Sequence, residues 1–137
     1  GTGTVEANYA DIAERFKSDK PYEAGTLVAI GGNEEVTETK ESYSDDVFGV
    51  VADQPAFILN NETKNIELMP AVTLVGRTPV KVTGKIKKGD RLTSSDIPGV
   101  AQAADKSKLS MFNYIGRALE NKETDDQSLV WVAFGAK

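Results

Sequence analysis

Two carboxylates near the start of the chain have a spacing that could support acid–base chemistry. Asp11 and Glu14 lie three residues apart, so their side chains would share a face if this segment were a helix. Two close carboxylates resist ionising together, and one of them can then keep its proton and act as an acid. In the simpler interpretation, Asp11 accepts hydrogen bonds from the backbone of the first turn and Glu14 is solvated. We favour the simpler interpretation and keep Asp11 and Glu14 as the only catalytic candidates.

The rest of the composition argues against an ordinary enzyme. The chain has no histidine and no cysteine. It therefore lacks the commonest general base and the commonest metal ligand, and it cannot form disulfides or thiolate zinc sites. No phosphate-binding loop or nucleophile elbow is present in the sequence. We expect no cofactor and no catalytic activity, with self-cleavage as the one enzymatic possibility.

Two pairs of adjacent aspartates are the candidates for a calcium site. Asp45 and Asp46 form one pair, and Asp125 and Asp126 form the other. Neither pair lies in the spaced Asp/Asn and Gly loop that a calcium hand requires. Aspartates in hairpin loops are commonly solvated turn residues. The sequence therefore predicts no metal site.

Aromatic side chains could bind sugar rings by stacking. Tyr43 lies among Glu41, Ser42 and Ser44, which makes it the best candidate for an exposed aromatic surface contact. Trp131 lies in a segment in which both alternating sets of residues are apolar. Such a strand belongs in a core or in an interface between chains. One exposed tyrosine is a weak platform for a glycan.

Length and charge define the broad class of the protein. The 137 residues suit one domain, with 39% hydrophobic and 27% charged residues. A net charge of −5 is unfavourable for binding nucleic acid through phosphates. No apolar run approaches the roughly 20 residues that cross a bilayer, so we expect no membrane insertion. We expect residues 1–7 to be a flexible lead-in from a longer polypeptide or a tag, and residues 8–137 to be a single β-rich domain.

The pattern along the chain is that of short strands joined by tight turns. The clearest example is the segment 73–103, in which apolar and polar residues alternate and Gly, Asp and Pro interrupt at short intervals. Further strands are predicted at residues 26–30, 46–52 and 128–134, with a possible return strand at Val36 and Thr37. Residues 5–16 are the best helical candidate, although they could instead form an extended strand leading into the domain.

Glycine recurs inside the apolar strands. Gly49, Gly76 and Gly116 each lie between strand-forming residues. Glycine in a strand costs about 0.5–1 kcal/mol relative to alanine, so it marks a bulge, a corner or a close backbone contact. We therefore predict a mainly β fold: a small, strongly bent barrel or sandwich of short antiparallel strands, with at most one short helix.

The order of several short motifs resembles a known family. These motifs are residues 8–14 (NYADIAE), 22–28 (YEAGTLV), 47–51 (VFGVV), 76–82 (GRTPVKV), 88–95 (KGDRLTSS) with Pro98 and Gly99, and 115–120 (IGRALE). In this order they resemble a C-terminal domain of phage tail-fibre and virion structural proteins. They are similar, more distantly, to the self-cleaving intramolecular-chaperone domain of phage neck-appendage proteins. The self-cleaving relatives carry an acidic residue where this chain has Asn8, which argues against self-cleavage here.

The resemblance implies a structural role in the virion. It implies a terminal domain of a tail or capsid fibre that assembles as a homotrimer with other fibre or virion proteins, in the host cytoplasm. Host attachment, for example to a surface glycan, is a further expectation. The alternatives from other classes are a self-cleaving chaperone and a carbohydrate-binding receptor-recognition module.

Overall fold

The computed structural model describes residues 12–53, 57–59 and 66–137, and in this part the fold is mainly β as the sequence predicts. No α-helix occurs among these residues, which contain two short 3₁₀ turns, Ile66–Leu68 and Lys106–Lys108. The ten strands are β1 Ile12–Arg15, β2 Leu27–Ile30, β3 Val36–Glu38, β4 Val47–Val51, β5 Phe57–Leu59, β6 Ala71–Val82, β7 Arg91–Ser94, β8 Ala101–Ala103, β9 Gly116–Ala118 and β10 Ser128–Phe134.

Five strands close into a barrel. Their order is β10-β9-β7-β8-β6, and β6 then pairs with β10 to complete the ring. The β6–β10 pair is antiparallel over seven residue pairs, from Ser128 opposite Val82 to Phe134 opposite Gly76. The β6–β8 pair is parallel, so the barrel is not wholly antiparallel. Closure removes the exposed strand edges that would otherwise favour aggregation.

The long strand β6 belongs to two sheets. Its first part pairs with β1 and β4, and its last seven residues pair with β10 in the barrel. The change of partner falls at Gly76, where φ is +124°, a backbone conformation that residues with a side chain rarely adopt. The strands β3, β2, β4, β1 and β5 complete the second sheet. The sequence predicts the bend at Gly76, but it does not predict a single strand of 12 residues.

Two apolar clusters hold the layers together. The larger cluster fills the barrel, where Leu27 and Val50 of the second sheet join it. Its members are Leu27, Val50, Val80, Val82, Ile86, Leu92, Ala101, Ile115, Ala118, Val130, Val132 and Phe134. The smaller cluster comprises Val28, Val36, Val51 and Val72, with Phe16, Tyr22, Phe48 and Leu74 packed against it. Removing this apolar surface from water is the main favourable contribution to folding.

The other two strand glycines also lie where the sequence predicts irregular or crowded backbone. Gly49 faces Val28 next to a bulge in the β2–β4 pair. A Cβ atom at Gly49 would come within 2.7 Å of the Thr73 carbonyl oxygen. Gly116 has a φ of +149° and lies against the backbone of β10. The prediction that these glycines mark bulges, corners or close contacts is confirmed.

The expectation of a helix at residues 5–16 is wrong for its last part. Ile12–Arg15 form a strand that pairs antiparallel with β6 and in parallel with β5. Residues 5–11 lie outside the described residues. Because β1 pairs with a strand on each side, its backbone N–H and C=O groups are hydrogen-bonded, and this outweighs the weak helical preference of its sequence. The alternative, an extended strand leading into the domain, is correct for these four residues.

A hydrogen-bonded network ties residues 19–22 to β3. The Tyr22 hydroxyl donates to Asp19 Oδ1 at 2.6 Å, and the Thr37 hydroxyl donates to Asp19 Oδ2 at 3.1 Å. The Glu38 N–H donates to the Tyr22 hydroxyl at 3.1 Å. Burial raises the pKa of Asp19, but the hydrogen bonds from Tyr22 and Thr37 outweigh it and the pKa lies below its usual value.

We expect Asp19→Asn to cause a small loss of stability that depends on pH. Because the pKa of Asp19 is lower in the folded state, its contribution is fully present above the unfolded pKa of about 4. That contribution disappears as the pH falls through the folded pKa. Urea unfolding of both proteins between pH 3 and pH 7 tests this expectation. A stability difference that is constant over this range would contradict it.

Candidate functional site

The outer surface of the β6–β10 pair carries an exposed row of apolar side chains. Along β10, Val130, Val132 and Phe134 are buried in the barrel, so the alternate residues point outward. These outward residues lie opposite alternate residues of β6. We define the β6–β10 face as the outward residues of both strands: Val75, Arg77, Pro79, Lys81, Leu129, Trp131 and Ala133.

The β6–β10 face carries large apolar side chains that are exposed and do not contribute to the core. Leu129 is 56% exposed and Val75 is 46% exposed. Ile12, the partner of Val75 on β1, is 44% exposed and extends the row. Exposed apolar side chains grouped on one face of a sheet make that face a candidate interaction site. The sequence-based interpretation of this strand, with apolar residues on both faces, agrees with these positions.

Trp131 lies at the centre of the face and is half-buried. The Arg77 guanidinium lies 4.9 Å from the centre of its ring, a cation–π contact. Its backbone N–H donates to Glu120 Oε2 at 2.7 Å, and a groove of about 220 Å³ runs past Pro79, Glu120 and Leu129. Sequence reasoning missed Arg77. The signal was present, because Arg77 alternates with Val75 and Pro79 along β6.

Tyr43 is more constrained than the sequence suggests. It is half-buried, and its hydroxyl accepts a hydrogen bond from the Asp105 N–H at 2.8 Å. The Lys108 ammonium lies 5.8 Å from its ring, and its φ of +54° is left-handed. Tyr43 therefore joins two loops, and only part of its ring is open to a ligand.

The two catalytic candidates are not seen as a pair. Glu14 lies in β1, opposite Val72 of β6, and is half-buried. Asp11 lies outside the described residues. The extended backbone of Ile12–Arg15 removes the helical geometry that would have placed the two carboxylates on one face. Their catalytic role stays a prediction.

The paired aspartates lie in turns. The Thr124 hydroxyl donates to Asp126, whose Oδ1 lies 3.9 Å from the Lys122 ammonium. The Asp46 N–H donates to the Ser44 hydroxyl at 3.2 Å. Among the described residues, no three carboxylates lie close enough together to hold a metal ion. None of the helical turns in this part of the chain is long and apolar enough to span a bilayer.

Solved structures of phage proteins have a fold similar to that of this chain. The C-terminal fragment of bacteriophage phi29 gene product 12 has this fold, with a TM-score of 0.65 and 15% identity, over 90% of this chain and 99% of that one. The pre-mature form of gene product 12 matches with a TM-score of 0.68 and 13% identity, over 92% of this chain and 21% of that one. The N base of the phi29 head fiber gp8.5 matches with a TM-score of 0.52 and 16% identity, over 90% and 92% of the two chains.

These comparisons establish a shared fold. No protein-family model and no curated protein sequence matches the chain. At 13–16% identity the sequences differ in most positions, and the similarity is one of fold. The resemblance to phage fibre and virion proteins that the motifs indicate is thereby confirmed at the level of the fold.

Proposed function

We propose that this protein is a structural component of a phage virion, a terminal domain of a tail or capsid fibre that assembles as a homotrimer. The observation that supports this function most directly is the exposed β6–β10 face, on a fold shared with phi29 gene product 12 and the phi29 head fiber gp8.5. We also propose that the domain contacts other virion proteins and supports host attachment. It acts in the assembled particle, with assembly in the host cytoplasm.

The chemistry of the β6–β10 face fits contact between copies of this chain. Buried interface centres are enriched in tryptophan, tyrosine and arginine, and Trp131 with Arg77 supplies such a centre. Leu129 and Val75 flank this centre with exposed apolar surface. Removal of exposed apolar side chains from water favours association, so burying this row between chains favours an oligomer. A rigid barrel fixes the direction of the face, which a symmetric assembly requires.

We expect Leu129→Glu to dissociate the trimer. A carboxylate at this position would be buried without a partner in the interface, which opposes association. Light scattering at micromolar concentration should give about three times the 14.7 kDa chain mass for the unmodified protein and a lower mass for the variant. Met111→Glu is the matched control, because Met111 is 84% exposed and lies outside the β6–β10 face. This control should remain trimeric.

Two results would contradict this proposal. A monomeric mass for the unmodified protein would exclude a trimer that forms without further segments of the fibre. A Leu129→Glu variant that remains trimeric, with an unchanged circular-dichroism spectrum, would place the interface elsewhere.

The alternative functions have less support in the described part of the chain. Self-cleavage would need Asp11 and Glu14. Glu14, the member of the two that the structure describes, lies in β1, which is hydrogen-bonded to a strand on each side. Recognition of a host glycan through Tyr43 would use a ring that is half-buried between loops.

A further inference from the structure

A second groove lies away from the β6–β10 face and is bordered by cations. Its volume is about 370 Å³, within the range of small-ligand sites. Leu109, Met111 and Tyr114 supply apolar and aromatic surface, and Arg91, Lys106 and Lys137 supply positive charge. We call it the basic groove. A concentration of cations is unexpected in a chain whose net charge is −5.

Two arginines lie directly opposite each other beside the basic groove. Arg91 on β7 is the cross-strand partner of Arg117 on β9. Directly opposed residues of an antiparallel pair have Cβ atoms about 4.5–5.5 Å apart, and like charges at this distance destabilise the sheet. A pair of arginines in this position attracts an anionic ligand.

The described part of the chain supplies no side-chain carboxylate at salt-bridge distance from either arginine. Arg117 donates to the main-chain oxygens of Gly89 at 2.6 Å and Lys137 at 3.0 Å. The nearest acids in sequence have other partners. Asp90, next to Arg91, accepts the Lys87 N–H at 2.9 Å, and Glu120, three residues after Arg117, accepts the Trp131 N–H at 2.7 Å.

Tyr114 connects the two arginines with the apolar part of the groove. Its hydroxyl donates to the Ala136 carbonyl, so its ring is held in one orientation. Burial raises the pKa of Tyr114, and the positive charges of Arg91 and Arg117 oppose this rise. Both guanidinium groups therefore lie near Tyr114, and Arg91 itself lines the groove.

We propose that the basic groove binds a carboxylated saccharide. A carboxylate matches the forked donors of Arg91, and the apolar face of a sugar ring matches Tyr114, Leu109 and Met111. The groove, of about 370 Å³, is large enough to hold part of a short saccharide chain. The inference rests on the proposed role in host attachment and specifies the ligand class: an acidic polysaccharide of the kind found on cell surfaces.

The ligand class is tested by calorimetry with three probes at low salt. Trigalacturonic acid carries the carboxylates on a sugar chain, its methyl ester keeps the sugars without the charge, and triglutamate keeps the charge without the sugars. We expect trigalacturonic acid to bind and the other two probes to bind at least about tenfold more weakly. Binding should weaken as salt is added, because exposed charges are screened.

The role of the arginine pair is tested by Arg91→Gln. We expect an affinity for trigalacturonic acid at least about tenfold lower, because the charged hydrogen bonds are lost. We expect an unchanged or higher melting temperature, because the opposed charges are removed. Lys85→Gln is the matched control, since it removes one charge from an exposed lysine outside the groove and should leave binding unchanged.

Three results would overturn the inference. Equal binding of triglutamate would show a general site for acidic partners, and binding of none of the probes would show no site. A lower melting temperature of Arg91→Gln with full binding would show a structural role for the arginine. Light scattering on the same samples separates the two proposals: a trimer without saccharide binding contradicts only the basic groove, and a monomer contradicts the proposed assembly.

Discussion

Replacing Gly116 with alanine is expected to lower the free energy of unfolding by at least about 4 kcal/mol, the range of the most damaging single substitutions. A Cβ atom at this position would lie 2.3 Å from the Ala133 carbonyl oxygen and 3.0 Å from Phe134 Cα. Both neighbours are backbone atoms of β10, so no side-chain rotation can relieve the overlap. The φ of +149° adds further strain for any residue with a Cβ atom.

The position of β9 explains why the effect should spread through the barrel. β9 has only three residues, and it joins β7 to β10 within the ring. Gly116 is paired with Leu92 on one side and Phe134 on the other. If β10 moves away from Gly116, the ring opens and the buried side chain of Phe134 loses its packing. We therefore expect a drop in melting temperature of about 12 °C or more.

Two other glycines allow the two causes of this loss, backbone strain and steric overlap, to be measured separately. Gly84 has a φ of +81° and open space where a Cβ would lie, so Gly84→Ala should cost only the backbone strain, about 1–2 kcal/mol. Gly49 lacks a positive φ, but its Cβ would lie 2.4 Å from Val72 Cγ1, so Gly49→Ala tests the overlap alone. Thermal unfolding of the three variants compares them. A Gly116→Ala protein as stable as Gly84→Ala would show that β10 can yield without opening the barrel.

The sequence predicts the mainly β class and the positions at which strands bend, because both depend on local patterns. The strand Ser128–Phe134 falls on the predicted residues because both of its faces are apolar and β-branched residues are frequent. The bends at Gly49, Gly76 and Gly116 follow from the conformational freedom of glycine, which is a local property. Local patterns therefore identify both the elements and their irregular points.

The sequence does not predict which strands pair with each other, and the candidate sites depend on those pairings. The β6–β10 pair joins residues about fifty positions apart, and Arg77 reaches Trp131 only through this register. The basic groove likewise combines Arg91 of β7 with Lys106 and Met111 of a later loop. Alternation within one strand fixes a face but contains no information on its partner. The polar neighbours of Tyr43 predict exposure, but they contain no information on its contact with Asp105, 62 positions away.

One buried lysine, Lys122, connects two segments of the barrel that are distant in sequence through hydrogen bonds. The side chain of Lys122 is 4% exposed, and its ammonium donates to the carbonyl oxygens of Gly84, at 2.8 Å, and Thr124. The backbone of Lys122 also exchanges hydrogen bonds with Ile86, at 2.9 and 3.0 Å. The segment that leads into β10 is thereby attached to the β6–β7 turn. Asp126 lies farther away, at 3.9 Å, and is largely exposed, so it adds little.

We expect Lys122→Met to lower the free energy of unfolding by about 2–4 kcal/mol. Methionine fills a similar volume, so packing is kept, but the carbonyl oxygens of Gly84 and Thr124 lose a charged donor. Urea unfolding measures the loss, and Lys85→Met, at an exposed lysine of the same turn, should stay within about 0.5 kcal/mol of the unmodified protein. Equal stability of the two variants would mean that water replaces the ammonium at both carbonyl groups. The segment before β10 would then be held by its backbone pairing with Ile86 alone.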